Sequence, residues 1–146
     1  MNPDCIFCKI AAGLEPACLI FEDDISIAFL DMRPVFYGHT LLIPKKHFTT
    51  MMEFPDDMIY GFFSNLKLVS RAVEDAMGSQ GIFNAINNRI SQSVPHLHIH
   101  ILPRSKGDGM RHFLWPRRLY ESMEAAKKTA GDIRLTLERL KNTPND

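Results

Sequence analysis

Apolar and polar positions along the chain follow two periods. Over 94–102, Leu97, Ile99 and Ile101 interleave with His96, His98 and His100, in a run with Ser and Asn turns before it and Pro103 after it. A period of two predicts a strand with three imidazoles on one face and three aliphatic side chains on the other. Apolar runs at 17–22 and 25–31 read as strands joined by an Asp23-Asp24 turn, and 40–44 and 81–86 as two more. Met58, Phe62, Leu66, Val69, Val73 and Ala76 recur instead at helical spacing, from a Pro55-Asp56-Asp57 start to Gly78. A short helix over 6–10 is ended by Gly13. Leu119, Met123, Ala126, Ala130, Ile133, Leu137 and Leu140 predict a helix over about 117–141 with Gly131 as a candidate break. The pattern predicts an α+β fold: an antiparallel sheet of about five strands with one long central helix and a C-terminal helix packed on it. Cys18, in an apolar strand, is expected in the core.

Composition narrows the classes. A chain of 146 residues, 45% hydrophobic and 23% charged, is expected to form one domain with a continuous core and no second domain. The formal charge is zero, so polymeric nucleic acid is not the expected partner. No basic leader opens the sequence and no long apolar window follows, so a cytoplasmic protein without a membrane association, its cysteines reduced, is expected.

The chemistry concentrates in the three histidines. Each imidazole brings two ring nitrogens that need partners when buried, so three on one face rarely serve packing alone. Two readings stand beside packing: ligands to a metal ion, or a nucleophilic imidazole flanked by helpers. Along a flat strand His96 and His100 lie ~13 Å apart, too far to share one ion, so at least one of the three has a different task. Cys5 and Cys8 form a single C-x-x-C, which reads as buried thiols, a redox pair or half of a zinc site. Asp31 closes a predicted strand and His39 opens one; a plain strand-end residue is the alternative reading for each.

His96-Leu97-His98-Ile99-His100-Ile101-Leu102 resembles the signature of the histidine triad (HIT) family, and Gln92-Ser93-Val94 precedes it as in that family. The resemblance extends to Phe21-Glu22-Asp23-Asp24, Ala28-Phe29-Leu30-Asp31 and the segment from Gly38-His39 to His47, covering most of the first ~105 residues. It points to the bacterial-type branch that carries the Cys-x-x-Cys pair and to HIT nucleotide hydrolases. It implies a HIT domain core over about 3–105 with a helical extension over about 106–146. It implies one structural Zn2+ per chain held by Cys5, Cys8, His47 and His96, which leaves His98 as nucleophile with His100, His39 and Ser93 as its catalytic partners. Nucleotide binding is implied for Asp31 at the ribose hydroxyls, for Asn87, Gln92 and Ser93 on the phosphate side, and for Ile6, Phe7, Ile10 and Phe29 around a purine base. The substrate implied is an adenosine-containing phosphoramidate or dinucleoside polyphosphate, cleaved at the α-phosphate through a nucleotidyl-histidine to release a nucleoside monophosphate. A nucleotidyltransferase and a non-catalytic nucleotide-binding module are the alternatives, and the transferase branch typically has Gln where His100 stands. A homodimer is also implied, with Trp115 either a core anchor or near the partner's site. The sequence departs from the family where Ser91 stands in place of a usual glycine, in a turn about two residues short.

Overall fold

The computed structural model describes residues 2–110 and 119–142. Its elements are α1 (Ile6–Ala11), β1 (Leu19–Glu22), β2 (Ser26–Leu30), β3 (Thr40–Pro44), α2 (Asp56–Met77), β4 (Gly81–Ile86), β5 (Ile99–Arg104) and α3 (Met123–Lys141). All the strands pair antiparallel in one five-stranded sheet ordered β1-β2-β3-β5-β4. The fold is α+β, as the pattern predicts.

The first hairpin is set by Asp23, whose Oδ1 accepts from the backbone N–H groups of Ile25 (2.9 Å) and Ser26 (2.7 Å). β2 and β3 are buried along both faces, so they read as continuous apolar runs rather than alternating ones. On one face Ala28, Leu42, Leu97, Ile99 and Ile101 pack with Phe62, Val69 and Val73 of α2. On the other, Ile27, Phe29, Leu41 and Ile43 meet Cys5, Phe7 and Cys8 around α1. Truncating fully buried Phe62 to Ala is expected to cost about 3–5 kcal/mol. α2 ends where Gly78 turns left-handed (φ 59°) and the Ser79 N–H reaches the Glu74 carbonyl (3.1 Å). Ala76, the last residue of its expected stripe, is exposed.

Several expected boundaries shift, each for a physical reason. The 94–102 strand becomes Ile99–Arg104, because upstream of Ile99 the backbone leaves its strand partners and the Leu97 N–H donates to the Phe48 carbonyl (2.6 Å). The side-chain alternation nevertheless persists through 96–98, since Leu97 joins the α2 face. Pro103 lies inside β5 rather than beyond it; it pairs with Ile82, past the last β3 contact at Ile101, where a strand with one open side tolerates proline. Cys18 is exposed, not core: it sits just ahead of edge strand β1, which begins at Leu19 rather than 17.

The chain divides into two compact units, Met1–Asp108 and Gly109–Asp146. In the second, α3 is capped by Ser122, whose Oγ accepts from the Ala125 N–H (3.1 Å), and it runs through Gly131 without a break. It starts at Met123, and Leu119 precedes it. The expected start at 117 and Trp115 lie outside the described residues. Among the described residues no helix is long and apolar enough to cross a membrane.

Candidate functional site

The three histidines of 96–100 stand side by side but are bonded differently. His98 Nδ1 lies 2.6 Å from the His96 carbonyl oxygen. A carbonyl only accepts, so Nδ1 carries the proton and the lone pair is on Nε2. Burial lowers the pKa of His98, against the raising effects of that carbonyl and of Asp31. The result is a buried, neutral imidazole with one free nucleophilic nitrogen.

His96 is turned the other way. Its Nε2 donates to the Pro44 carbonyl (2.9 Å), so its lone pair is on Nδ1. That atom lies 3.4 Å from Cys5 Sγ, 3.6 Å from Cys8 Sγ and 3.3 Å from His47 Nδ1. One ligand atom from each of these four side chains falls within 4.8 Å of the others. Two sulfurs and two imidazole nitrogens closing on one point can hold a metal ion, and the set is the one expected of a four-coordinate structural site. α1 delivers both cysteines, because Cys5 caps it and Cys8 lies in its first turn.

His100 belongs to a third arrangement. His39 Nε2 lies 2.9 Å from His100 Nδ1, while the Val35 N–H donates to His39 Nδ1 at 3.3 Å. With Nδ1 accepting, His39 Nε2 is the donor, and His100 in turn presents an Nε2–H. Burial, then the neighbouring His98 and His39, push the pKa of His100 down to about 4 against the pull of Asp31. His39 reaches this position because Gly38 adopts φ +88° and leaves no Cβ, which would stand 2.6 Å from Met77 Cγ.

In front of these imidazoles opens a cleft of about 300 Å³, lined among others by Ile6, Phe7, Ile10, Phe29, Asp31, Ser93, His98 and His100. Eight of the expected site residues therefore meet in one cavity, and its two ends differ. Ile6, Ile10, Ala17 and Phe29 make an apolar wall suited to a flat ring, while Asp31, Ser93 and the imidazoles are polar. Phe7 packs edge-on against both His96 (5.9 Å) and His98 (5.3 Å), so the cleft wall and the thiol cluster share one ring. His39 lies buried behind His100.

Asn87 and Gln92 do not line this cleft. Gln92 Nε2 donates to the Thr49 carbonyl (2.6 Å) and its Oε1 accepts from the Arg89 N–H (2.8 Å), so its amide braces the loop. Asn88 is likewise engaged, accepting from the Met51 N–H (2.8 Å). In this short turn Arg89 (φ 70°) and Ser91 (φ 59°) are left-handed without being glycine. Val35, Arg33 and Leu41 escaped the sequence reading; Val35 acts through a backbone N–H, which no residue type signals.

The HIT domain is the family whose sequence pattern matches, over residues 13–107. The chain belongs to the HIT domain family. The thiol half of the cluster, Cys5 and Cys8, lies ahead of the matched HIT segment. The chain is 36% identical over 115 residues to the adenosine 5'-monophosphoramidase hnt1 of Schizosaccharomyces pombe, an alignment covering 77% of this chain and 83% of that one. Among solved structures, a HIT family protein from Bacillus subtilis superposes with TM-score 0.82 at 33% identity, covering 98% of this chain and 99% of that one. A Zn-bound histidine triad family protein from Mycobacterium smegmatis superposes with TM-score 0.68 at 31% identity, covering 93% and 97% of the two chains.

Proposed function

We propose that this HIT protein hydrolyses a nucleotide derivative at its α-phosphorus, an adenosine phosphoramidate or dinucleoside polyphosphate, through a nucleotidyl-histidine at His98. The observation that carries this reading is the bond from His98 Nδ1–H to the His96 carbonyl, which leaves Nε2 unprotonated at the cleft. In the first step Nε2 forms a bond to phosphorus, and the bond to the leaving group breaks with its electron pair going to that group. In the second, water attacks phosphorus and the electron pair of the N–P bond returns to Nε2, releasing the nucleoside monophosphate. His100, through Nε2–H, and Ser93, both lining the cleft, donate toward phosphate and leaving-group oxygens in this reading. Asp31, at the polar end of the cleft, receives the ribose hydroxyls, and Ile6, Phe7, Ile10 and Phe29 take the base. Gln92 acts indirectly, its amide bracing the loop that carries Ser93.

The ion at the thiol cluster is proposed to be zinc, held by Cys5, Cys8, His47 and His96. Zinc held there would supply a rigid cross-link between α1 and the 96–98 segment. Those residues fit it: both sulfurs are buried, and the Pro44 carbonyl fixes His96 with its lone pair toward them. The phosphoramidase activity named for the yeast relative supports the amine-leaving class.

The test is a panel of adenosine 5'-phosphoramidate, diadenosine polyphosphates and nucleotide sugars, followed for AMP release with acid-quenched samples examined for label on His98. AMP from the phosphoramidate together with an acid-labile adduct at residue 98 is the expected result. Normal nucleotide binding with no product over hours refutes the enzyme.

A further inference from the structure

Behind the proposed nucleophile, three side chains meet whose joint geometry the mechanism above leaves unused: Asp31, His39 and His100. Their ligand atoms lie within 4.8 Å of one another, the spacing of a metal site. His39, however, meets the other two through opposite ring nitrogens, Nε2 toward His100 (2.9 Å) and Nδ1 toward Asp31 Oδ2 (3.6 Å). One ion cannot replace both contacts at once. Groups joined in series through one ring describe a proton path.

We propose that Asp31, besides receiving the ribose, is a positioning residue that holds the exchangeable proton of the His39–His100 pair. This deepens the reading above and rests on it. Two groups compete for His39 Nδ1. The Val35 N–H (3.3 Å) favours the form in which Nδ1 is bare, whereas the Asp31 carboxylate favours the form in which it is protonated. Asp31 is tied to this place twice: its own N–H donates to the His39 carbonyl (2.9 Å), and its Oδ1 accepts from the Arg33 N–H (2.8 Å). That leaves Oδ2 facing the ring. Among the described residues, His98 is the further titratable group that acts on the pair, and Arg33, from the same segment as Asp31, lines the same cleft. Burial lowers the pKa of His39, and Asp31 is the group that opposes it; Asp31 acts in the same direction on His100.

With a proton on His39 Nδ1 as well as on Nε2, an imidazolium facing the Asp31 carboxylate, the pair can run both half-reactions and return to its starting state. As His98 Nε2 bonds to phosphorus, the leaving group departs with its electron pair and takes the proton from His100 Nε2. His100 Nδ1 takes the His39 Nε2 proton in turn. His39 is then neutral, with Nδ1–H facing Asp31, and His100 Nε2 is bare. In the second half-reaction that bare nitrogen takes a proton from the attacking water, the electron pair of the N–P bond returns to His98, and the Nδ1 proton of His100 goes back to His39. One proton leaves and one arrives. In the form favoured by Val35 the same transfer strips His39 of its last ring proton, an imidazolate without a neutralising partner.

The test separates this role from ribose binding by using two substrates, adenosine 5'-phosphoramidate and its 2',3'-dideoxy analogue, with the zinc-loaded parent and the Asp31→Asn variant. Asn keeps an acceptor for the Arg33 N–H and removes the charge, and an unchanged metal content reports an intact fold. The expected result is a fall in kcat of ~10²-fold on both substrates, with the KM change confined to the substrate that has hydroxyls. Loss of rate on the ribose substrate alone overturns the proposal. Side-chain NMR titration of His39 and His100 in the nucleotide-free protein is the second readout: the pair is expected to titrate about one pH unit lower in Asp31→Asn, and an unmoved titration overturns it equally. Failure of the parent to turn over either substrate strikes the proposed function instead, and the titration still decides the role of Asp31.

Discussion

Two clusters that share paired imidazoles but differ in their other donors, thiols at one and a carboxylate at the other, sit at the two ends of the histidine segment, and they are wired differently. At His96, four donor atoms converge on one point, each side chain offering a single atom. At His100 the groups run in a line, with the His39 ring passing contact from Asp31 to His100 through its two nitrogens. Convergence suits an ion; a line suits a proton. Imidazoles alone do not choose between them; within the histidine segment the backbone carbonyls set which ring nitrogen is bare. Pro44 turns the His96 lone pair to Nδ1, and the His96 carbonyl turns that of His98 to Nε2.

The contrast can be broken most sharply at His98. His98→Ala should lower kcat by ~10⁴-fold while metal content and nucleotide affinity hold, read by steady-state kinetics, elemental analysis and calorimetry. Loss of metal from this variant would instead make His98 a ligand. Next in size, His100→Ala should lower kcat by ~10²-fold at unchanged metal content, because the proton path ends there and the ion does not. Cys8→Ser should do the reverse in kind: metal per chain falls well below one and the melting temperature drops by ~10 °C, with activity lost only as the fold loosens.

The smallest effect is a slope. The pKa of His100 is held at about 4, against 6.5 for a free imidazole, by burial first and then by His98 and His39. Between those values the unfolded chain binds this proton and the folded protein does not, so stability falls as pH drops below about 6.5 and the loss levels off below about 4. His100→Gln should therefore show a shallower fall of melting temperature with acid than the parent. An identical slope would assign the acid sensitivity to the other buried imidazoles, His39, His96 and His98.

What could be read without coordinates follows the same division. The two faces of 96–102 were legible because a period of two survives even where the strand does not, as Leu97 shows by joining the α2 face ahead of Ile99. The ladder's end was not legible, since it depends on where the chain after β3 goes. C-x-x-C gave half of a ligand set; His47, 39 residues from Cys8, entered only through family resemblance. Gln92 was misleading for a different reason. Its amide could face phosphate or backbone, and the structure gives it Arg89 within the turn and Thr49 from the segment after β3 as partners. The proton path was hidden because the groups that position Asp31 and compete for His39 are main-chain N–H groups, of Arg33, Asp31 itself and Val35.

The close approach at Gly38 restricts what laboratory evolution can do with this cleft. Any larger residue at 38 collides with Met77 while also facing an unfavourable φ of +88°, so trimming position 77 first would remove only half of the obstacle. Libraries that aim to change substrate range are better spent on Ile6, Ile10 and Ala17 than on the neighbour of His39.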